Sequence, residues 1–319
     1  MNLIKAEILR FSSRRFIQIM VVMLLVAFGL TIFTVMASTE QPTTEMWANA
    51  RMQAAETRHY LENEYANCVA NLTDTRRCAD LDPSKVVVED YLYGVFHFAR
   101  QIEALVFFLG AFLSLFGYLV MASFIGSELH SGGMTNLLLW RPNRTQVLGS
   151  KLGVGLGMLT AISVVFSLIY IGTFYGIAET MGYAGGMTAS GWSHVALITV
   201  RGIGMALVAG LVSFAVATVG RHTAAALGAL LGYVIVWEGG ARLIMEIASR
   251  NVGASNDPYF LSTYIAAWFA GEYTYYDYTS HLDNGAMIVY WWQAAVVFGA
   301  LTAAAAAVAF TGFRRRDLA

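Results

Sequence analysis

The feature that most constrains this chain is a series of apolar runs, each long enough to cross a lipid bilayer. Crossing as a helix takes roughly 20 residues. Of the 319 residues, 57% are hydrophobic and only 13% are charged, whereas soluble domains average about 25% charged residues. Because the apolar excess is concentrated in these runs, the sequence predicts a polytopic membrane protein of the all-α class.

Six membrane spans are predicted. The first apolar run follows basic residues, as the core of a signal peptide does, but it is too long for such a core and is interpreted as a retained span. The six predicted spans cover residues 16–37, 101–125, 147–178, 194–220, 223–247 and 286–312.

The segments outside the spans differ in character. Residues 1–15 mix apolar and basic positions as an amphipathic helix on the cytoplasmic interface does. Residues 38–100 are rich in acids and predict a helical external subdomain. Residues 248–285 form an external segment rich in Tyr, Trp and Phe, and its aromatic part, 259–278, is interpreted as an interfacial belt in preference to a ligand platform. Residues 126–146 connect spans two and three.

The distribution of basic residues predicts the orientation. Six spans place both termini on one side of the membrane, and cytoplasmic loops carry an excess of Lys and Arg. In this arrangement one side holds the following bases: Lys5, Arg10, Arg14, Arg15, Arg141, Arg144, Lys151, Arg221, Arg314, Arg315 and Arg316. We therefore expect a multi-pass protein of the plasma (cytoplasmic) membrane with both termini in the cytoplasm.

The two cysteines, Cys68 and Cys78, both lie in the acidic segment. In an external segment, two cysteines this close in sequence favour a disulfide that closes a short loop. The alternative is two free thiols.

The sequence contains no motif of an independent enzyme. It has no phosphate-binding loop with Lys-Ser/Thr and no HExxH or GxSxG pattern, and its histidines do not show metal-ligand spacing. We therefore expect no catalytic residue, no metal site and no cofactor bound by this chain. Energy for any transport would have to come from a partner.

Ionisable residues within spans are candidate functional groups, because charge is costly in lipid. Glu238, Arg242 and Glu246 are spaced i, i+4, i+8 and could form a ladder on one helix face. They are interpreted as a substrate pathway or gate, or alternatively as solvated charges of an interfacial or re-entrant helix. Arg201, in the fourth span, is expected to snorkel outward or to pair with Glu238 or Glu246.

The loop after the second span carries a distinctive order of residues. Glu128 is followed by Gly132-Gly133, by the apolar Leu137-Leu138-Leu139, and by Arg141-Pro142-Asn143-Arg144 before Lys151. With the amphipathic N-terminal helix, the ending Phe313-Arg314-Arg315-Arg316-Asp317-Leu318 and six spans, this order resembles the permease subunits of type-2 ABC exporters over nearly the whole chain.

The resemblance implies a function and partners. It implies a transmembrane permease driven by separate ATP-binding subunits, with ATP and Mg bound by those subunits, paired with a second identical or different permease. It implies export of a hydrophobic or amphipathic compound, such as a drug, lipid or peptide. Ser127 to Trp140 would be the coupling helix. The residues expected to couple to the ATPase are Glu128, Gly132, Gly133, Leu137, Arg141 and Arg144. The long segment 38–100 departs from the short loop common in drug exporters and suggests an external gate or docking surface.

Two other classes of function remain open. The chain could be a membrane scaffold or sensor whose external subdomain binds an extracellular ligand or protein. It could also be a proton- or sodium-coupled carrier, for which Glu238 and Glu246 are the strongest candidate carboxylates.

Overall fold

The computed structural model describes residues 3–71, 75–140, 143–249, 253–279 and 285–315. Within these residues, six helices are long and apolar enough to cross a membrane. The coarse prediction is therefore confirmed: the chain is a helical, multi-pass membrane protein. The spanning helices are α2 (Arg15–Ala37), α4 (Phe98–His130), α6 (Arg144–Met181), α7 (Ala189–Gly220), Thr223–Ser249 and α11 (Trp291–Arg315).

Most of these helices extend beyond the apolar runs that predicted them. Hydropathy locates the part of a helix that can lie in lipid, whereas the ends are set by groups that satisfy the terminal backbone atoms. At the start of α6, for example, the side chain of Asn143 accepts a hydrogen bond from the backbone N–H of Gln146 (3.2 Å). This cap fixes the helix start at Arg144, three residues before the predicted span.

The shorter elements complete the fold. An N-terminal helix, α1, covers Leu3–Ser12, within the predicted 1–15. A further long helix, α3, covers Thr44–Asn71. The other short helices are α5 (Gly133–Trp140), α8 (Thr223–Gly232), α9 (Arg242–Ser249) and α10 (Leu261–Ala270). α8 and α9 are joined by a π-helical segment, Tyr233–Ala241, so the fifth span is not a uniform α-helix.

A small β-hairpin corrects the predicted start of the sixth span. Strands β1 (Glu272–Tyr276) and β2 (Ala286–Tyr290) pair antiparallel, so α11 begins at Trp291 and not at residue 286. Aromatic and β-branched residues favour a pleated surface, and tyrosines dominate β1. The segment 248–285, predicted as an external aromatic segment, therefore contains α10 and β1.

The chain forms two compact units. The larger comprises Met1–Ala27, Glu103–Tyr170 and Ala189–Ala319, and the smaller comprises Phe28–Ile102 and Ile171–Thr188.

The smaller unit is organised around α3 and the segment that follows it. Ala50 packs in a buried cluster with Leu92 and Val95, and Trp47 contacts Tyr183 edge to face, with ring centroids 5.7 Å apart. Cys68 and Cys78 form a disulfide, which confirms the predicted pairing. The disulfide ties the end of α3 to the following 3₁₀ turn, in a unit whose range includes the predicted external subdomain, residues 38–100.

The spanning helices leave much apolar surface open. Of α2, only Ile17 and Leu24 are buried, while Phe33 is 70% exposed. A helix that is apolar on all sides and unburied by protein suits contact with lipid. The buried core of the larger unit includes Met205 of α7 and Phe298 of α11.

Candidate functional site

The N-terminal helix is held by a buried ion pair. Glu7 of α1 and Lys151 of α6 have no exposed side-chain surface, and Nζ of Lys151 lies 2.6 Å from Oε2 of Glu7. The second oxygen of Glu7 accepts from Arg10 at 2.9 Å. Buried charge is tolerated when it is paired and hydrogen-bonded, and both carboxylate oxygens of Glu7 are satisfied here.

The same lysine reaches Glu128, near the end of α4. Nζ of Lys151 lies 2.5 Å from Oε2 of Glu128, and the other oxygen of Glu128 is bonded by Arg14, which joins α1 to α2. Arg14 also donates to the carbonyl oxygen of Ser123 (3.1 Å) and to the hydroxyl of Ser127. We call Glu7, Arg14, Glu128 and Lys151 the ionic junction.

Phe124 lies at the centre of the ionic junction. Its ring contacts Phe11 edge to face, with centroids 5.2 Å apart. The guanidinium carbon of Arg14 and Nζ of Lys151 lie 5.2 and 5.4 Å from its centroid. Cations over an aromatic face are attracted by its quadrupole. The junction thus joins α1, the start of α2, the end of α4 and the start of α6 through both charge and packing.

The end of α4 also contacts the turn between α7 and α8. A Cβ placed on Gly126 would lie 2.6 Å from the backbone nitrogen of Thr223, so only glycine permits this approach. His130 and His222 are in ring contact, with centroids 4.4 Å apart. His222 caps α8 by accepting a hydrogen bond from the N–H of Ala224 at 3.0 Å.

The predicted coupling helix is divided. Ser127 to Trp140 was expected to form one short helix, but Ser127 and Glu128 belong to the last turns of α4. The break comes at Gly132, which adopts a positive φ of 72° that disfavours other residues. A separate helix, α5, begins at Gly133. Its Met134 is buried, whereas Leu139 is 79% exposed.

The remaining residues predicted to couple are placed as follows. Glu128 lies in the ionic junction, Gly132 and Gly133 form the break, and Leu137 is half-buried on α5. Arg144 is the first residue of α6. Arg141 lies outside the described residues.

A second polar cluster surrounds Glu238 in the π-helical segment. Its carboxylate accepts hydrogen bonds from the Tyr233 hydroxyl (2.7 Å), the Ser262 N–H (3.0 Å) and the Ser262 hydroxyl (2.9 Å). Tyr233 precedes Glu238 by five residues, the spacing of backbone bonds in a π-helix. The π segment thus ties the fifth span to the start of α10.

Arg242 joins this cluster to a cleft. Its guanidinium lies 3.8 Å from Glu238, 2.5 Å from Asp257 and 3.0 Å from the Ser262 hydroxyl, and 5.0 Å from the centroid of Phe260. The predicted i, i+4 pairing of Glu238 with Arg242 is present, but Asp257 is the closer partner.

The cleft has a volume of about 750 Å³, which lies within the usual range for small-molecule sites. We call it the Arg242 cleft. α9 forms one wall, and the residues before α10 and the end of β1 form the others. Its lining includes Glu246 of the predicted ladder, together with Arg242, Asn256, Asp257, Tyr276 and Tyr278.

The sequence predicts that Arg201 snorkels outward or pairs with Glu238 or Glu246; among the described residues it pairs with neither acid. Its guanidinium donates to the carbonyl oxygen of Phe269 (3.2 Å) and lies 5.6 Å from the centroid of Trp291. The Trp268 indole N–H donates to the Arg201 carbonyl oxygen at 2.8 Å. Among the described residues, these contacts bind Arg201 to α10 and the start of α11 and not to the Glu238 cluster.

Several residues of these sites escaped prediction from sequence. Glu7 is the only acid among residues 1–15, which is a signal that it differs from its basic neighbours. Asp257 and Ser262 carried no comparable signal, because their partners lie 15 to 24 residues away.

No protein-family model, curated protein or solved structure matches this chain. The function is therefore argued from the geometry of these two sites.

Proposed function

We propose that this chain is the transmembrane permease subunit of an ABC transporter, driven by a separate ATP-binding subunit. The observation that carries the proposal is the short helix α5, which stands between two spans whose adjoining ends are held together by the ionic junction. A force on α5 would act directly on α4 and α6. The resemblance of the sequence to type-2 exporters supports the same conclusion.

In this proposal α5 contacts the ATP-binding subunit on the cytoplasmic side of the plasma membrane. Leu139, at 79% exposure, offers it an apolar side chain, whereas the buried Met134 anchors the helix. Arg14 and Lys151 bind both oxygens of Glu128 and so limit bending at the end of α4. Movement of α5 would then be passed to the spans as rigid elements.

The nucleotide chemistry belongs to the partner. ATP and Mg would bind to the ATP-binding subunits, and a second permease, identical or different, would complete the pathway. The basic residues near the spans support cytoplasmic termini. The substrate would be a hydrophobic or amphipathic compound moved outward, with the Arg242 cleft as a candidate contact.

The test is to purify the tagged full-length chain from the membranes of its native host and to measure ATP hydrolysis by the complex. We expect an ATP-binding subunit to co-purify and hydrolysis to occur. Leu139→Asp should release this subunit, because it places a carboxylate on the docking helix without altering the ionic junction.

The control is Tyr93→Asp, which changes another exposed side chain (70%) in the smaller unit and should leave the complex intact. Glu128→Gln should retain the ATP-binding subunit but lower substrate-stimulated hydrolysis. Transport that persists without any ATP-binding subunit would contradict the proposal.

A further inference from the structure

We propose that the Arg242 cleft binds an organic cation that carries an apolar body. As a statement about the transported substrate, this inference rests on the proposed function. As a statement about binding, it concerns the chain alone. Three features support it: the charge of the lining, an aromatic pair at one edge and an apolar strip along α9.

The positive charge of Arg242 is already balanced. Its guanidinium is bonded to Asp257 at 2.5 Å and lies 3.8 Å from Glu238, so two carboxylates face one cation. Asp257 is held in turn by the Ser255 hydroxyl, which donates to Oδ2 at 3.1 Å. An anionic ligand would have to compete with these built-in partners for Arg242.

Glu246 adds a further negative charge to the cleft. It lies one helical turn from Arg242 on α9, and both residues line the cleft with Asp257. Among the described lining residues, two carboxylates therefore accompany one guanidinium. Glu246 would attract a cationic ligand and repel an anionic one.

Two tyrosines at the edge of the cleft suit a cation. The rings of Tyr276 and Tyr278 are stacked, with centroids 6.4 Å apart and an interplanar angle of 16°. They are 58% and 72% exposed. Their faces carry negative electrostatic potential, which attracts ammonium and related cations.

The position of these tyrosines is fixed by backbone contacts. The N–H of Tyr278 donates to the carbonyl oxygen of Gly253 at 2.9 Å. The N–H of Gly253 donates in turn to the carbonyl oxygen of Ser249 at 3.0 Å. The end of β1 is therefore linked to the end of α9 across the cleft. This pre-organisation reduces the ordering that a ligand would have to impose.

The apolar part of the ligand has a surface to contact. Leu243 and Ile247 line the cleft one turn apart on α9 and are 59% and 66% exposed. The polar face of the same helix carries Arg242, Glu246 and Ser249. A ligand lying along α9 would place its charge near Glu246 and the tyrosines and its apolar body on Leu243 and Ile247.

The experiment compares two ions of similar shape and opposite charge. Tetraphenylphosphonium and tetraphenylborate are titrated separately into the full-length chain in lipid nanodiscs, with binding to protein-free nanodiscs subtracted. We expect saturable binding of tetraphenylphosphonium and none of tetraphenylborate. Glu246→Gln should weaken binding of the cation about tenfold, and Tyr278→Leu about threefold.

The matched control is Glu103→Gln, which removes a half-exposed carboxylate on α4 beside His194 (3.7 Å) and should leave the affinity unchanged. Absence of tetraphenylphosphonium binding, equal affinity in wild type and Glu246→Gln, or preference for tetraphenylborate would each overturn the inference. No ATP-binding subunit is present in this assay. A negative result therefore leaves the proposed coupling intact, and failure of the coupling experiment leaves this binding result intact.

Discussion

Lys151 and Glu7 form a fully buried ion pair across 144 positions of sequence, with Nζ and Oε2 2.6 Å apart. Lys151 is also 2.5 Å from Glu128, so a single ammonium group links the N-terminal helix to the end of α4. A buried pair is weak evidence for net stabilisation, but breaking one leaves an uncompensated charge. The main consequence is that α1 cannot leave α6 without breaking the buried pair of Glu7 and Lys151.

Removing the lysine should therefore be strongly destabilising. Lys151→Met leaves Glu7 and Glu128 without their shared cation, and we expect the free energy of unfolding to fall by about 3–5 kcal/mol. Unfolding by sodium dodecyl sulfate in mixed micelles measures this change. The matched control is Asp90→Asn, which removes the exposed pair with Arg100 and should cost at most about 1 kcal/mol. Equal losses in the two variants would contradict the role given to the junction.

The close approach of α4 to the start of α8 should depend on glycine at position 126. Gly126→Ala places a methyl group 2.6 Å from the Thr223 nitrogen and 2.7 Å from its hydroxyl, so the helices must separate. We expect a loss of about 1–3 kcal/mol in the same unfolding measurement. Gly153→Ala on α6 is the control, because no neighbouring atom of the described residues lies within 4 Å of its added methyl group. Gly153→Ala should be neutral or slightly stabilising, and a Gly126→Ala variant as stable as wild type would refute the close approach.

The smaller unit should lose stability in mild acid through His97. Burial of the ring lowers the pKa of His97 from 6.5, and the charge of Arg100 lowers it further, whereas Glu89 and Asp90 oppose the shift. The Tyr183 ring packs against it at 4.7 Å. Because the folded state binds this proton less readily than the unfolded state, stability is full above pH 6.5 and falls as the pH is lowered below it.

Hydrogen exchange of the α3 amides, corrected for the intrinsic effect of pH on exchange, measures this loss. His97→Gln removes the titrating group and should flatten the pH dependence below 6.5. His59→Asn is the control, since the His59 side chain is 81% exposed and its replacement should leave the dependence unchanged. A wild-type profile that is flat between pH 5 and 7 would rule out the buried histidine as its source.

The disulfide should stabilise the end of α3 and little else. Replacing both Cys68 and Cys78 with serine increases the conformational entropy of the unfolded state. We therefore expect the free energy of unfolding of the smaller unit to fall by about 2–4 kcal/mol. Limited proteolysis should then cut near the end of α3 faster than in wild type. The ionic junction lies in the larger unit, so hydrogen exchange of α1 should not change in this variant. Faster exchange in α1 would show that the disulfide acts beyond its own unit.

The sequence alone determined the class of the protein and the number of spans, because a run of about 20 apolar residues has few stable environments other than a bilayer. It also identified the two cysteines, which lie ten positions apart. Local sequence was less informative about the residues at which the spanning helices begin and end. The span predicted from residue 286 begins at Trp291, since pairing with β1 turns Ala286–Tyr290 into a strand.

Only the tertiary structure decided which polar residues act together. Glu128 and Lys151 were identifiable from the same loop pattern, but the pairing of Glu128 with Arg14, 114 positions away, was not visible in it. Likewise, the ladder spacing of Glu238, Arg242 and Glu246 was visible in the sequence, yet Asp257 and Ser262 complete the cluster. The physical reason is that helix spacing reports neighbours one turn apart, whereas buried charges are satisfied by whichever groups packing brings within reach.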